Sequence, residues 1–128
     1  MERSDSVIGA ALRARTRERR TEETGEEFCI LDFDPEFPGF DGHFPGNPIV
    51  PGVCLIVAAR VFAEEVLGSP LEATEIRQCR FRRPIQAGER AEMRLRISEP
   101  APRVRQIQAS ITVGGSPAAQ LRMKAAAK

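Results

Sequence analysis

His43 is the one histidine among 128 residues. Its ordinary pKa lets an imidazole both take and return a proton near neutral pH. It lies within residues 35–52, which hold Pro35, Pro38, Gly39, Gly42, Pro45, Gly46, Pro48, Pro51 and Gly52. Proline pins φ and glycine permits unusual turns, so this stretch reads as a long loop with a fixed path, a kind that is often functional. The loop runs into a helical pattern at Pro51, where a second kind of chemistry becomes available. The first N–H groups of a helix have no acceptor within it and sit at the positive end of its dipole. Those at Gly52 and Val53 therefore suit an oxygen that gains negative charge. The plainer readings of the same residues are a structural histidine and a Pro-Gly pair that merely starts a helix.

Other chemistries are poorly supplied. Cys29, Cys54 and Cys79 are odd in number, widely spaced and without a CxxC pair. They read as reduced core thiols rather than a disulfide framework or a zinc site, and no metal is expected. Lys and Arg number 19 against 18 Asp and Glu, a net charge of +1, which argues against a dedicated nucleic-acid binder. With no Trp or Tyr and only 7 Phe, platforms for base stacking are also few. The longest uncharged apolar run, Ile49 to Ala59, is far short of the roughly 20 residues a membrane span needs. The patch from Val7 to Leu12 is too short for a signal-peptide core, so a cytoplasmic protein is expected.

The elements that must position His43 and the helix start are legible from periodicity. The length suits a single domain over 1–128, with residues 1–12 forming either a short helix or a frayed end. Arginines alternate from Arg13 to Arg20, as in a charged edge strand; the sharper reading, a nucleic-acid arm, fits the same residues. A turn at Thr24-Gly25-Glu26 leads to Phe28–Phe33, apolar on both faces and so central. The helix spans Pro51–Leu67 and stops at Gly68-Ser69-Pro70. From Val53 to Ala59 it is apolar all round, which predicts burial on every side, with charge only at Arg60, Glu64 and Glu65. A strand follows over about 72–85. Three more, at 91–97, 107–113 and 119–125, alternate apolar and polar residues, with turns at Pro100-Ala101-Pro102 and Gly114-Gly115-Ser116-Pro117. One apolar helix and about six one-faced antiparallel strands are best satisfied by a sheet curled around the helix, the α+β hot-dog arrangement.

The segment Gly42-His43-Phe44-Pro45-Gly46-Asn47-Pro48-Ile49-Val50-Pro51-Gly52-Val53 resembles the active-site segment of the (3R)-hydroxyacyl-acyl carrier protein dehydratases of fatty acid synthesis. A second segment, Cys79 to Glu89, is similar to that family's strand and turn after the helix, and the resemblance covers about residues 27–126. It implies a hot-dog fold and a dimer whose sheets join edge to edge. It also implies His43 as the base that takes the C2 proton of a 3-hydroxyacyl thioester, and a backbone N–H of Gly52 or Val53 as the holder of the thioester oxygen. No resident cofactor is implied, because the substrate rides on the phosphopantetheine of an acyl carrier protein or of coenzyme A.

The chain departs from the pattern at the acid. The family places Glu or Asp on the helix where this sequence has Val57, and a Gln where it has Val61. Glu64 lies seven residues after Val57 on nearly the same face, but about 10 Å farther along the axis. Asp41, and more remotely Asp34 and Glu36, are the remaining candidates. Three functions stay open: a dehydratase; an acyl-thioester-binding or heterodimer partner subunit, whose sister chain supplies the carboxylate; or another thioester enzyme, an isomerase or thioesterase. Phe62, Leu67 and Phe81 are candidates to line the acyl tunnel. Arg60, Arg80, Arg82 and Arg83 are candidates to meet an acidic carrier protein, against the plainer reading of a wet strand face.

Overall fold

The computed structural model describes residues 6–40, 46 and 48–128; His43 and Asp41 lie outside the described residues. Helix α1, Val7–Ala14, begins because the Ser6 hydroxyl accepts the Gly9 N–H at 3.0 Å, satisfying one of the donors that a helix start leaves over. Residues 7–12 are thus helical rather than frayed, and Leu12 is fully buried. The helix takes in Arg13 and Ala14, so the edge strand read from Arg13 starts later, as β1, Thr16–Thr21. The alternation of arginines imitates a strand, but Arg13 reaches Glu64 and Glu65 from the helix and Arg15 reaches Asp34 from its C-cap.

β1 pairs antiparallel with β2, Glu27–Asp32. β2 buries both faces. Cys29 and Leu31 belong to the core, while Phe28 points to the other side. Phe28 is still only 2% exposed, because the guanidinium groups of Arg20 and Arg94 lie 3.9 and 4.8 Å from its ring centroid. Beyond β2, Phe33, Phe37 and Phe40 meet edge to face at centroid distances of 5.2 and 5.4 Å, around a short 3-10 turn at Pro38–Phe40.

Helix α2 spans Gly52–Leu67, with Pro51 outside it as the N-cap residue. It ends at Gly68, whose φ of 70° permits the left-handed cap and brings its N–H to the Glu64 carbonyl at 2.8 Å. Four long strands follow: β3 Leu71–Phe81, β4 Arg90–Ala101, β5 Val104–Val113 and β6 Ser116–Ala127. β3 stops at Phe81, short of the expected end, and β4 runs through Pro100 so that the chain reverses at Pro102-Arg103. The order is β1-β2-β4-β5-β6-β3, antiparallel throughout, with β1 and β3 as the edges.

Register decides which residues meet the helix. Cys29, Met93, Ile111 and Ala119 align across four strands, as do Leu95, Ala109, Leu121 and Cys79. Nearly all of them are buried and form the core with Leu55, Ala58, Ala59, Phe62 and Ala63 of α2. The alternate residues form polar rows on the opposite face: Arg94, Ser110, Gln120 and Arg80, then Arg96, Gln108, Arg122 and Gln78. Burial of α2 is incomplete, contrary to the burial on every side that its all-round apolarity predicted. Val53 is 64% exposed and Ile56 and Val57 are half-buried, because sheet and α1 leave one stripe of the helix uncovered. Among the described residues, no helix is long and apolar enough to cross a membrane.

Candidate active site

Pro48 and Pro51 have no N–H to donate, so the chain entering α2 is pinned through Val50, whose N–H reaches the Ile85 carbonyl at 2.7 Å. Ile49 bridges to Gln86, and the Ala87 N–H returns to Pro48 at 3.3 Å. The start of the helix is therefore fixed against the turn that follows β3. It is fixed but not capped. Pro51 offers no side-chain acceptor, and the first turn holds no acid. The Cys54 N–H is taken by the Pro51 carbonyl at 2.9 Å, whereas the N–H groups of Gly52 and Val53 have no acceptor among the described residues. Two donors at the positive end of the dipole thus remain open.

Beside them lies a cavity of about 450 Å³, walled mainly by Val50, Leu55, Phe81, Arg82 and Ile85 and reaching Gly52. The Phe81 ring, 52% exposed, lies across the helix start so closely that a Cβ on Gly52 would stand 2.6 Å from its Cζ. Glycine at position 52 thus serves two ends. It admits the ring, and it leaves the backbone N–H open to approach.

The other expected residues disperse. Val57 is half-buried on the open stripe of α2, and Val61 is buried. Of the tunnel candidates only Phe81 lines this cavity. Phe62 is buried in the core and borders a hollow near Arg19 and Glu65, and Leu67 borders a third, near Ile97 and Glu99. Leu67 stands fifteen residues beyond Gly52, about 22 Å along the helix axis. Of the arginines, Arg60 pairs with Glu64 at 3.1 Å. Arg83 grips both oxygens of Glu89 at 3.2 and 2.9 Å. That guanidinium, with the Gln86 N–H, holds the Glu89 carboxyl below its usual range and staples the turn forming the cavity wall. Arg80 and Arg82 are exposed and, among the described residues, have no ion-pair partner.

Of the candidate acids among the described residues, Asp34 and Glu64 are engaged elsewhere, while Glu36 is exposed. Arg15 binds Asp34 at 2.7 Å and holds its carboxyl below the ordinary value, outweighing the opposing effect of burial. Asp34 in turn accepts the Glu36 N–H at 3.1 Å. Glu64, only 2% exposed, accepts from Arg13 at 3.0 Å, Arg60 at 3.1 Å and the Leu71 N–H at 2.7 Å. From sequence Glu64 was a charge near the helix end, on the face of Val57 but too far along the axis to replace the missing acid. The i,i+4 spacing from Arg60 was a visible signal, but the partners 51 and 7 residues away were not. Burial pushes the Cys29 thiol up to about 12 and raises Cys54 and Cys79 as well, so these thiols are poor nucleophiles. Among the described residues no cluster of His, Cys, Asp or Glu is arranged to hold a metal.

The sequence profile of the ApeI-like family, described as ApeI dehydratase, matches residues 18–115. The chain is 35% identical over 68 residues to the 3-hydroxyacyl-(acyl-carrier-protein) dehydratase FabZ of Syntrophobacter fumaroxidans, covering 47% of this chain and 46% of that protein. It is 29% identical over 99 residues to the FabZ dehydratase of Rickettsia massiliae, covering 71% of this chain and 68% of that one. The aligned part is thus less than half the length of the first relative and about two thirds of the second. The dehydratase heterocomplex ApeI:P from Xenorhabdus doucetiae shares the fold, with a TM-score of 0.73 over 87% of this chain and 96% of that chain at 23% identity. The sheet wrapped on α2 is accordingly a hot-dog fold. With the profile running from β1 to the β5–β6 turn, through helix start and cavity alike, the chain belongs to the ApeI-like dehydratase family.

Proposed function

We propose that the chain eliminates water from a 3-hydroxyacyl thioester carried on a phosphopantetheine arm. The observation that carries this reading is the pair of open N–H groups at Gly52 and Val53, set at the edge of an apolar cavity. A thioester oxygen held there gains negative charge as the C2 proton leaves, and the helix start stabilises it. His43 takes that proton. The C2–H electron pair becomes the C2–C3 double bond, the C3–O bond breaks, and the hydroxyl leaves as water with the proton that the His43 imidazolium returns. No resident cofactor enters this balance. The arm belongs to an acyl carrier protein or to coenzyme A.

A second reading has its own observation. Val57 can neither give nor accept a proton, while Asp34 and Glu64 are held by arginines. In that reading a sister hot-dog chain supplies the departing hydroxyl's proton, docking along the free β3 edge where Ile76, Phe81 and the nearby Val53 are exposed.

The test is conversion of a 3-hydroxyacyl-carrier protein to its enoyl product, followed by mass spectrometry. His43→Ala is expected to lower turnover by about a hundredfold or more. Full activity in that variant would remove His43 from the mechanism. Val57→Glu is expected to raise turnover of the chain alone. If the wild-type chain turns over only after mixing with a carboxylate-bearing sister chain, the partner reading holds. Hydrolysis to the free acid, or a shifted double bond without loss of water, would instead identify a thioesterase or an isomerase.

A further inference from the structure

We infer that β3 is a self-complementary edge that selects β3 of a second copy of this chain as its antiparallel partner, in one register centred on Ile76. The inference stands on the strand itself, whichever reaction the site performs. β3 is an edge of the sheet, so one side of its backbone has no partner strand. Leu71, Ala73, Ile76, Cys79 and Phe81 stand opposite Ala127, Ala125, Met123, Leu121 and Ala119 of β6, and so share the core-facing side. The steps between them are 2, 3, 3 and 2 residues, because register shifts between Ala73 and Glu75 and between Ile76 and Gln78 each add one. This spacing reads the same in both directions from Ile76. Charge does the opposite. Glu72 and Glu75 precede Ile76, and Arg77 and Arg80 follow it at mirrored distances.

Antiparallel strands read one another backwards, so a strand with mirrored faces and reversed charges is its own complement. With Ile76 against the partner subunit's Ile76, Glu72 meets the partner subunit's Arg80 and Glu75 meets the partner subunit's Arg77. Symmetry makes each pair occur twice. Unlike charges directly opposite stabilise a strand pair, and like charges oppose it. Moving the centre by one residue sets Glu75 or Arg77 against its own copy, so the register is specified along with the partner. Glu72 and Arg80 are exposed and have no ion-pair partner among the described residues, while Glu75 and Arg77 lie 2.9 Å apart on the strand. Pairing also covers Ile76 and Phe81, 43% and 52% exposed, and so closes the open flank of the cavity beside Gly52. The other edge, β1, lacks this match: it carries Arg17, Arg19 and Arg20, and Glu18 at a φ of 50° interrupts its extended run. Edge-to-edge pairing is what the family resemblance implies, and the order of signs on β3 adds which partner and which register. Self-pairing leaves Val57 on both helices, so neither copy lends the other a helix carboxylate.

The test follows the oligomeric state of the full chain by sedimentation and native mass spectrometry. The wild-type chain is expected to be a dimer at micromolar concentration. Glu72→Arg/Glu75→Arg makes the charges of the strand all basic, and Arg77→Glu/Arg80→Glu makes them all acidic. Each variant alone is expected to self-associate about tenfold or more weakly. Mixed in equal amounts, the two should form a mixed dimer of near wild-type affinity, a rescue that misfolded chains could not give. Ile76→Cys should link to its own copy on mild oxidation, since directly opposed residues have Cα atoms about 4.5–5.5 Å apart, within reach of a disulfide. A monomeric wild-type chain, a dimer indifferent to both charge reversals, or reversed variants that fail to combine would each overturn the inference. An unlinked Ile76→Cys dimer would overturn the register, and preference for a sister hot-dog chain over a second copy would overturn the choice of partner. Turnover enters none of these readouts, so a self-paired chain that dehydrates nothing would leave the pairing standing and sink the dehydratase reading.

Discussion

The two ends of α2 are finished differently. At the C-terminal end Glu64 is buried under Arg13, Arg60 and the Leu71 N–H, and Gly68 closes the last turn onto the Glu64 carbonyl. Four elements of the chain, α1, α2, β3 and the helix cap, meet there with their polar groups matched. At the N-terminal end Pro51 offers no side-chain cap, two N–H groups have no acceptor among the described residues, and Val53 and Phe81 remain exposed beside a cavity. One end holds the helix in place, and the other can therefore be left unsatisfied for a ligand. Anchoring and binding are separated by the length of a single helix.

The comparison breaks if the anchored end proves expendable. Replacing Glu64 by Leu leaves Arg13 and Arg60 without their buried partner and the Leu71 N–H without an acceptor. The arginines are about one fifth exposed, which softens the loss, and the expected cost is about 2–3 kcal/mol in urea unfolding. A cost below about 1 kcal/mol would show that the cluster does not anchor the helix.

Gly52→Ala probes the opposite end. The added Cβ meets the Phe81 ring, but that ring is half exposed at a sheet edge and can swing aside, so stability should fall by less than about 1 kcal/mol. Thioester turnover should fall at least tenfold, because the methyl group crowds the approach to the N–H. A stability loss as large as that of the Glu64 variant, with turnover unchanged, would reverse the assignment of the two ends.

The smallest effect concerns Arg15 and Asp34, a more exposed pair. The Arg15 guanidinium lowers the Asp34 pKa from its ordinary 3.8 in the folded chain. A depressed folded pKa contributes stability above the unfolded value and loses it as pH falls through the folded one. Arg15→Ala should therefore lower Tm slightly at neutral pH and flatten its fall in acid below about pH 4. A larger effect would mean that surface pairing rivals the buried cluster as an anchor.

Much of this arrangement was legible from local pattern. Strict alternation at 91–97, 107–113 and 119–125 gave three strands and their inward faces, and the run from Pro51 to Gly68 gave the helix and its stop. The open N–H groups followed from proline and glycine at a helix start. What local pattern hid was long-range. Arg13 read as part of a strand because its partners, Glu64 and Glu65, are about fifty residues away. Ser6 was the available sign of α1, and a single capping hydroxyl is weak beside four alternating arginines. All-round apolarity predicted a fully buried helix, yet composition records only what a face is suited to meet, and Val53 meets solvent. Arg60 and Arg83 looked free as surface arginines until Glu64 and Glu89 were seen to hold them.

Phe28 shows a further consequence of the outer face. An aromatic ring on the wet side of a sheet is an adhesive spot, and two guanidinium planes from different strands roof it over. The roof makes colloidal behaviour depend on Arg20 and Arg94 together. Loss of either bares hydrocarbon as well as removing a charge, which favours self-association as salt rises.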